Sequence, residues 1–271
     1  MLRTIRHRTT GQRHGPITRL VSPGDLGEAL KPFVFLDFIH ADIQPGFGFA
    51  FHPHSGLATL TYQLDCDVEV EDTSGQKALV RRGGLEWMQA GGGVWHRGTL
   101  TGSTHVTGFQ LWVALPEGLE DAPAQARYVE PEEVPTVGNV RVLLGAYGGR
   151  SNPIAAPGPI VYLHVRIAAG GSWRTDLPSG FDVAWAVPFE GNVRCAGQAV
   201  AVGELAILTE GDGLIELTSD EGAQLVFGAA RRHPYPLVLG DYSVHTNAAS
   251  LARGEQRIRA LGNQLTGQRR R

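Results

Sequence analysis

Two stretches of this chain repeat one another in order, and that constrains its fold more than any other feature. Residues 85–97 read LEWMQAGGGVWHR, and residues 205–217 read LAILTEGDGLIEL. Each runs as an apolar strand, a Gly-x-Gly turn (Gly91 and Gly93; Gly211 and Gly213) and a second strand. Upstream, GLATLTYQLDCDVEV (56–70) matches GFDVAWAVPFEGNVRC (180–195) once one residue is inserted near the turn. The offsets, 85 to 205 and 56 to 180, are 120 and 124 residues, so both matches fall in the same order at nearly the same spacing. Two copies of one β-unit are expected. The first is read as residues 1–135 and the second as 136–271, joined through the Pro- and Glu-rich stretch from Pro116 to Pro135.

Local patterning agrees with a sandwich of short strands. The 36 glycines and 16 prolines are scattered through the chain, where they punctuate strands, and do not gather into a linker. Phe109, Leu111 and Val113 share one face of a strand whose other face carries Gln110 and Trp112. Val161, Leu163, Val165 and Ile167 alternate in the same way with Tyr162, His164 and Arg166. A period of two is what one-face burial in an antiparallel sheet produces. Helical spacing is sparse and best in Ala248–Leu265, where Asn247 is the predicted N-cap and Leu251, Ile258, Leu261 and Leu265 recur. Gly254 weakens that helix by about 1 kcal/mol relative to Ala. The fold class expected is all-β, ending in a short C-terminal helix.

Several function classes are disfavoured. A net charge of -3 does not suit a direct nucleic-acid binder, which needs a basic surface. The basic runs Arg3–Arg13 and Arg269–Arg271 read as solvated tails. No apolar run reaches the roughly 18 residues of a membrane span, and the basic N-terminus is followed by no apolar stretch, so a cytoplasmic protein is expected. Cys66 and Cys195 are too few for a disulfide framework or a thiolate zinc site, and read as core residues.

Only the first copy carries chemistry. His52-Pro53-His54 places two imidazoles on one strand face, and His96 follows the glycine turn one strand pair later. Three imidazoles can hold a divalent transition metal with an open position. Carrying the offsets into the second copy puts Asp176, Pro178 and Glu216 at the equivalent places, a set that cannot rebuild the site. His40 could line the same pocket, as could Arg97 and Gly98 beside His96. His7, His14, His105, His233 and His245 share no spacing and read as surface or loop residues.

The run Pro32-Phe33-Val34-Phe35-Leu36-Asp37-Phe38 through His52-Pro53-His54-Ser55-Gly56 resembles the opening of the pirin family. So do Leu85 to His96, the later Phe109-Gln110-Leu111-Trp112-Val113, and the ending Tyr242-Ser243-Val244-His245-Thr246-Asn247 before a helix. The resemblance implies a bicupin, two β-sandwich (jelly-roll) barrels face to face. It implies iron or a similar divalent metal, with zinc, manganese or nickel as substitutes, held in the N-terminal barrel by three histidines and a glutamate. Some pirins show quercetin 2,3-dioxygenase activity, and eukaryotic members act as nuclear transcription cofactors. The histidines correspond to His52, His54 and His96. The glutamate position two residues after the last histidine is Gly98, and a second motif glutamate is replaced by Ala58. The family's base is therefore missing. Three functions stay open: a quercetinase-like oxygenase of altered activity acting on an aromatic, flavonol-like ligand; a non-catalytic protein binding a ligand or protein partner, with or without metal; or a different small-molecule reaction, such as an isomerase or hydrolase using a three-histidine metal.

Overall fold

A computed structural model describes residues 2–268. Arg269–Arg271 of the basic C-terminal run lie outside the described residues. The chain forms two compact units, each a pair of antiparallel sheets.

The histidine unit comprises Val21–Pro131 together with His233 onward. Its larger sheet runs in the order Gln125–Val129, Leu85–Gln89, Leu57–Gln63, His105–Ala114, Phe33–Asp42. Its smaller sheet runs Gly48–His54, Val94–Thr101, Asp67–Asp72, Lys77–Val80. In the smaller sheet the alternation is clean: Val68, Val70, Val94, His96 and Leu100 are buried, while Glu69 and Arg97 face solvent. The strand Leu57–Gln63 is buried at every position, because both faces of the larger sheet are covered.

The second unit comprises Met1–Leu20 and Glu132–Arg232. Its sheets repeat the order of those nine strands. The larger contains Ile5–Thr9, Leu205–Leu208, Val183–Glu190, Ala223–Ala230, Ile160–Ile167 and Val140–Leu144 in that order; the smaller contains Gly171–Thr175, Ile215–Ser219, Val193–Cys195 and Gln198–Val200. Along Ile160–Ile167 one-face burial was expected, but Tyr162 and His164 are buried as well, since this strand is central in its sheet and covered on both faces. Cys66 and Cys195 are buried free thiols, one in each unit.

The units do not follow a division at residue 135; they exchange their ends. Beside Leu85–Gln89 the edge position is filled by Gln125–Val129, whereas beside Leu205–Leu208 it is filled by Ile5–Thr9 from the start of the chain. Part of the run read as a basic tail is therefore structural. Arg3 is buried, and its guanidinium donates to the carbonyls of Thr209 (2.6 Å), Phe181 (2.9 Å) and Asp182 (2.7 Å). Three carbonyl acceptors satisfy a buried cation that would otherwise be costly.

The C-terminal helix, Ala248–Gln268, belongs to the histidine unit and is longer than the spacing alone suggested. Asn247 caps it: Oδ1 accepts from the Ser250 N–H at 2.9 Å. Ser250, Gly254 and Ile258, four residues apart, form its buried stripe. Among the described residues no helix is long and apolar enough to cross a membrane.

Candidate metal centre

His52 and His54 stand two apart at the end of the strand Gly48–His54, so both point to one face. The neighbouring strand pairs His96 directly with His52 and Val94 with His54. Beyond His96 the ladder slips by one residue, and Phe49 stands opposite Gly98. The bulge turns the strand and exposes the Ala50 carbonyl, which accepts from His52 Nδ1 at 2.8 Å.

The three imidazoles converge. Their ring centroids are separated by 4.9 Å (His52–His54), 4.4 Å (His52–His96) and 5.1 Å (His54–His96), and one nitrogen from each lies within 4.8 Å of the others. His54 Nδ1 faces the Tyr242 carbonyl at 3.2 Å. With both Nδ1 atoms donating to carbonyls, His52 and His54 present Nε2 as the free donor atom. His96 Nε2 is buried with no hydrogen-bond partner. Burial, followed by the other imidazoles, pushes His54 down to about 3 and His96 well below the usual histidine range; burial also lowers His52. At neutral pH all three are uncharged donors. An unpartnered nitrogen beside two tautomer-locked imidazoles fits a divalent transition metal.

The remaining sequence candidates do not join the cluster. His40 is exposed, with Nδ1 3.1 Å from Thr107 Oγ1 and its ring edge-on to His105. Arg97 points outward, paired with Glu71 (Nε to Oε2 2.9 Å) and lying over the Phe51 ring. Gly98 shares the inward face with His96, and a Cβ there would meet Val68 Cγ1 at an ordinary 3.4 Å. Ala58 lies on the opposite face from Thr59, whose cross-strand partner Trp112 packs its ring 4.7 Å from that of His54. A carboxylate at residue 58 would point away from the histidines and would add nothing to their cluster.

In the second unit the equivalents expected at Asp176, Pro178 and Glu216 are corrected by the register. There Trp173 opposes Leu217 as His52 opposes His96, and Thr175 takes the place of His54. All three lie 121 residues on: GDG sits in a turn one residue longer than GGG, which moves the third position from 216 to 217, while the strand carrying Trp173 and Thr175 falls outside the stretches that match in sequence. Trp173 and Leu217 lie in the apolar core, while Glu216 turns outward and binds Arg174 at 2.6 Å. The second copy fills its centre with hydrocarbon.

Sequence reasoning missed a polar clamp behind the histidine cluster. Ser55 Oγ lies 2.8 Å from Ser243 Oγ and 2.9 Å from His245 Nε2. His245 Nδ1 meets Ser250 Oγ at 3.2 Å and Glu120 Oε2 at 3.4 Å, and Glu120 holds the Thr246 N–H and hydroxyl. The order Ser–His–Glu resembles a nucleophilic triad, but Ser55, His245 and Glu120 are 0%, 1% and 1% exposed, so no acyl substrate reaches them. They fasten the C-terminal segment to the residue after His54. His245 is thus a buried structural histidine, and His233 is buried too; His7, His14 and His105 are exposed as expected. Gly254 is what lets the helix approach. A Cβ there would stand 2.5 Å from Ser55 Oγ and 2.6 Å from His245 Nε2.

Comparison with known proteins agrees with this architecture. The pirin family profile matches residues 16–113, which include all three histidines. A Pseudomonas aeruginosa protein, provisionally assigned as a quercetin 2,3-dioxygenase, is 33% identical over 82% of each chain. The crystal structure of quercetin 2,3-dioxygenase from Acinetobacter baumannii superposes with a TM-score of 0.87 at 22% identity, covering 94% of this chain and 96% of that one. Escherichia coli YhhW, a bacterial pirin solved in complex with nickel(II), gives a TM-score of 0.64 at 20% identity, covering 86% and 99%. With its two sandwich units, its terminal helix and this set of relatives, the chain belongs to the pirin family.

Proposed function

We propose that the histidine unit binds one divalent transition metal through His52, His54 and His96, and presents its open face to a small aromatic ligand for oxygenation. The observation that carries this reading is the convergence of three neutral imidazoles on a point that His96 Nε2 faces with no partner. Iron is the first candidate by kinship, and nickel, zinc and manganese suit the same donors. The relative in Pseudomonas aeruginosa and the nickel-bound YhhW support the class of ligand and ion.

A bound metal would supply Lewis acidity toward a chelating oxygen and a place for electron transfer. The chain's own residues do the rest. Three uncharged ligands leave the ion's full 2+ charge for an anionic substrate to neutralise, so a deprotonated enol is favoured over a neutral one. Phe49 and Tyr242, 43% and 45% exposed, stand 6.4 Å and 6.5 Å from the His52 ring, and Phe47 meets Phe49 edge-on. These rings give the mouth an aromatic rim suited to a planar ligand.

A second reading, binding without turnover, is favoured by one observation: Gly98 places no carboxylate beside the ion. Metal content by mass spectrometry, on wild type and on a His52→Ala/His96→Ala variant, tests the metal. About one transition metal per chain, lost in the variant, supports the centre. A protein that takes up no iron, nickel, zinc or manganese would refute it. Oxygen uptake with quercetin then separates turnover from binding.

A further inference from the structure

The face of the larger sheet opposite the histidines carries several polar side chains, and one is a carboxylate. Cross-strand pairing on the larger sheet aligns Trp112, Thr59 and Met88 in one row. Two contacts place that row across from His54 and Val94: the Trp112 ring lies 4.7 Å from the His54 ring, and Met88 packs with Val94. One step along the same face, the next row is Gln110, Thr61 and Glu86. The next row of the smaller sheet is His52, His96 and Asp72. Packed sheets stand about 10 Å apart, so inward side chains from the two rows reach toward a common space.

That wall has unfilled hydrogen-bonding capacity. Thr59 is 0% exposed, and its Oγ1 has no partner. Thr61 Oγ1 lies 2.8 Å from Glu86 Oε2 and 2.9 Å from Gln110 Oε1, while Gln110 Nε2 is buried and unpartnered. One hydroxyl proton cannot serve both neighbours. If it goes to Glu86, Gln110 turns its amide to donate to Thr61 and keeps one polar end free. Unpaired buried polar atoms on both walls point to a polar ligand held between them.

We infer that Glu86 is the acid–base residue of this site, taking the hydroxyl proton of a ligand that Thr59 and Gln110 hydrogen-bond, in place of the carboxylate that Gly98 does not provide. This rests on the proposed metal reading and deepens it. The ligand class is a planar hydroxy-ketone: its O–H bond breaks, the proton passes to a Glu86 carboxylate oxygen, and the electron pair stays on the ligand oxygen, which becomes an anionic donor. No oxidant is consumed in this step. Burial raises the Glu86 carboxyl to about 7, a proton affinity suited to accepting and returning a proton near neutrality.

Quercetin titrated into metal-loaded and metal-stripped protein tests this, because its absorption moves to longer wavelength on deprotonation. Wild type should bind it with that shift. Glu86→Gln, nearly isosteric, should keep the wild-type metal content and fold, lose the shift and turn over quercetin at least tenfold more slowly. Thr59→Val should weaken binding about tenfold and keep the shift. An undiminished shift in Glu86→Gln would overturn the assignment. A wild-type protein that holds no metal, yet shows a shift that depends on Glu86, would remove the metal reading and leave this one standing.

Discussion

Replacing Gly254 by Ala should destabilise the protein, although helix propensity predicts the opposite. In an exposed helix the change is worth about 1 kcal/mol in favour of Ala. Here the added Cβ would sit 2.5 Å from Ser55 Oγ and 2.6 Å from His245 Nε2, two atoms in contact at 2.9 Å and fully buried. Overpacking of this kind costs roughly 1–3 kcal/mol. Displacing Ser55 from His245 leaves buried polar groups unpaired, at a further cost of about 1–3 kcal/mol. Less the propensity gain, the net loss is near 3 kcal/mol, which lowers a melting transition in a chain of this size by about 6–12 °C. Circular-dichroism melts of Gly254→Ala and Gly267→Ala make the comparison, since a Cβ at Gly267 meets nothing within 4 Å. Gly267→Ala should be neutral or slightly stabilising. Adding Ser55→Ala to Gly254→Ala should return part of the loss, because it removes the nearer colliding atom. A melting temperature for Gly254→Ala at or above wild type would refute the clamp as the reason for this glycine.

Other predictions follow from the same structure. Gly98→Glu has room for its Cβ and an inward aim beside His96, so it should tighten metal binding on the order of tenfold or more in a competition assay with a chelator; unchanged affinity would mean residue 98 does not face the ion. Glu86 has its carboxyl raised from 4.5 to about 7 by burial, with Asp72 adding to the rise and only the Thr61 hydroxyl opposing it. Between those values the unfolded chain releases its proton before the folded one does, so stability falls as pH rises through that window, by about 3 kcal/mol in all. Glu86→Gln removes that slope: its melting temperature should gain on wild type between pH 5 and pH 8, and parallel curves would contradict the buried carboxyl. Tyr128, whose hydroxyl is pushed up by burial and by the same two carboxylates, titrates outside this range.

Much of the site was legible because strands carry a simple period. Two histidines separated by one residue must share a face, and a third after a glycine turn falls on the adjoining strand. The helix was legible from its spacing and from Asn247. What escaped detection depends on partners distant in the chain. Ile5–Thr9 looks like a tail until its partner Leu205–Leu208, some 200 residues on, is known. His245 gives no local sign that Ser55 and Glu120 enclose it. Glu86 lies inside LEWM, an apolar run whose pattern gives no sign that its carboxylate is buried against Thr61. The second-copy equivalents were misplaced because an unaligned strand and a lengthened turn shift the register by a few residues, and on a strand an odd shift reverses the face.

The exchange of ends also sets a clock. The Tyr242 carbonyl that fixes the His54 imidazole is made 188 residues after it. At roughly 5–20 residues per second of synthesis, the ligand strand waits about 10–40 s for that partner. During this interval the imidazoles exist without the segment that orients one of them and screens their mouth. On the proposed metal reading, an ion bound in that window would meet a His54 imidazole not yet oriented, so ion selection would belong to the finished protein, after its last helix has docked.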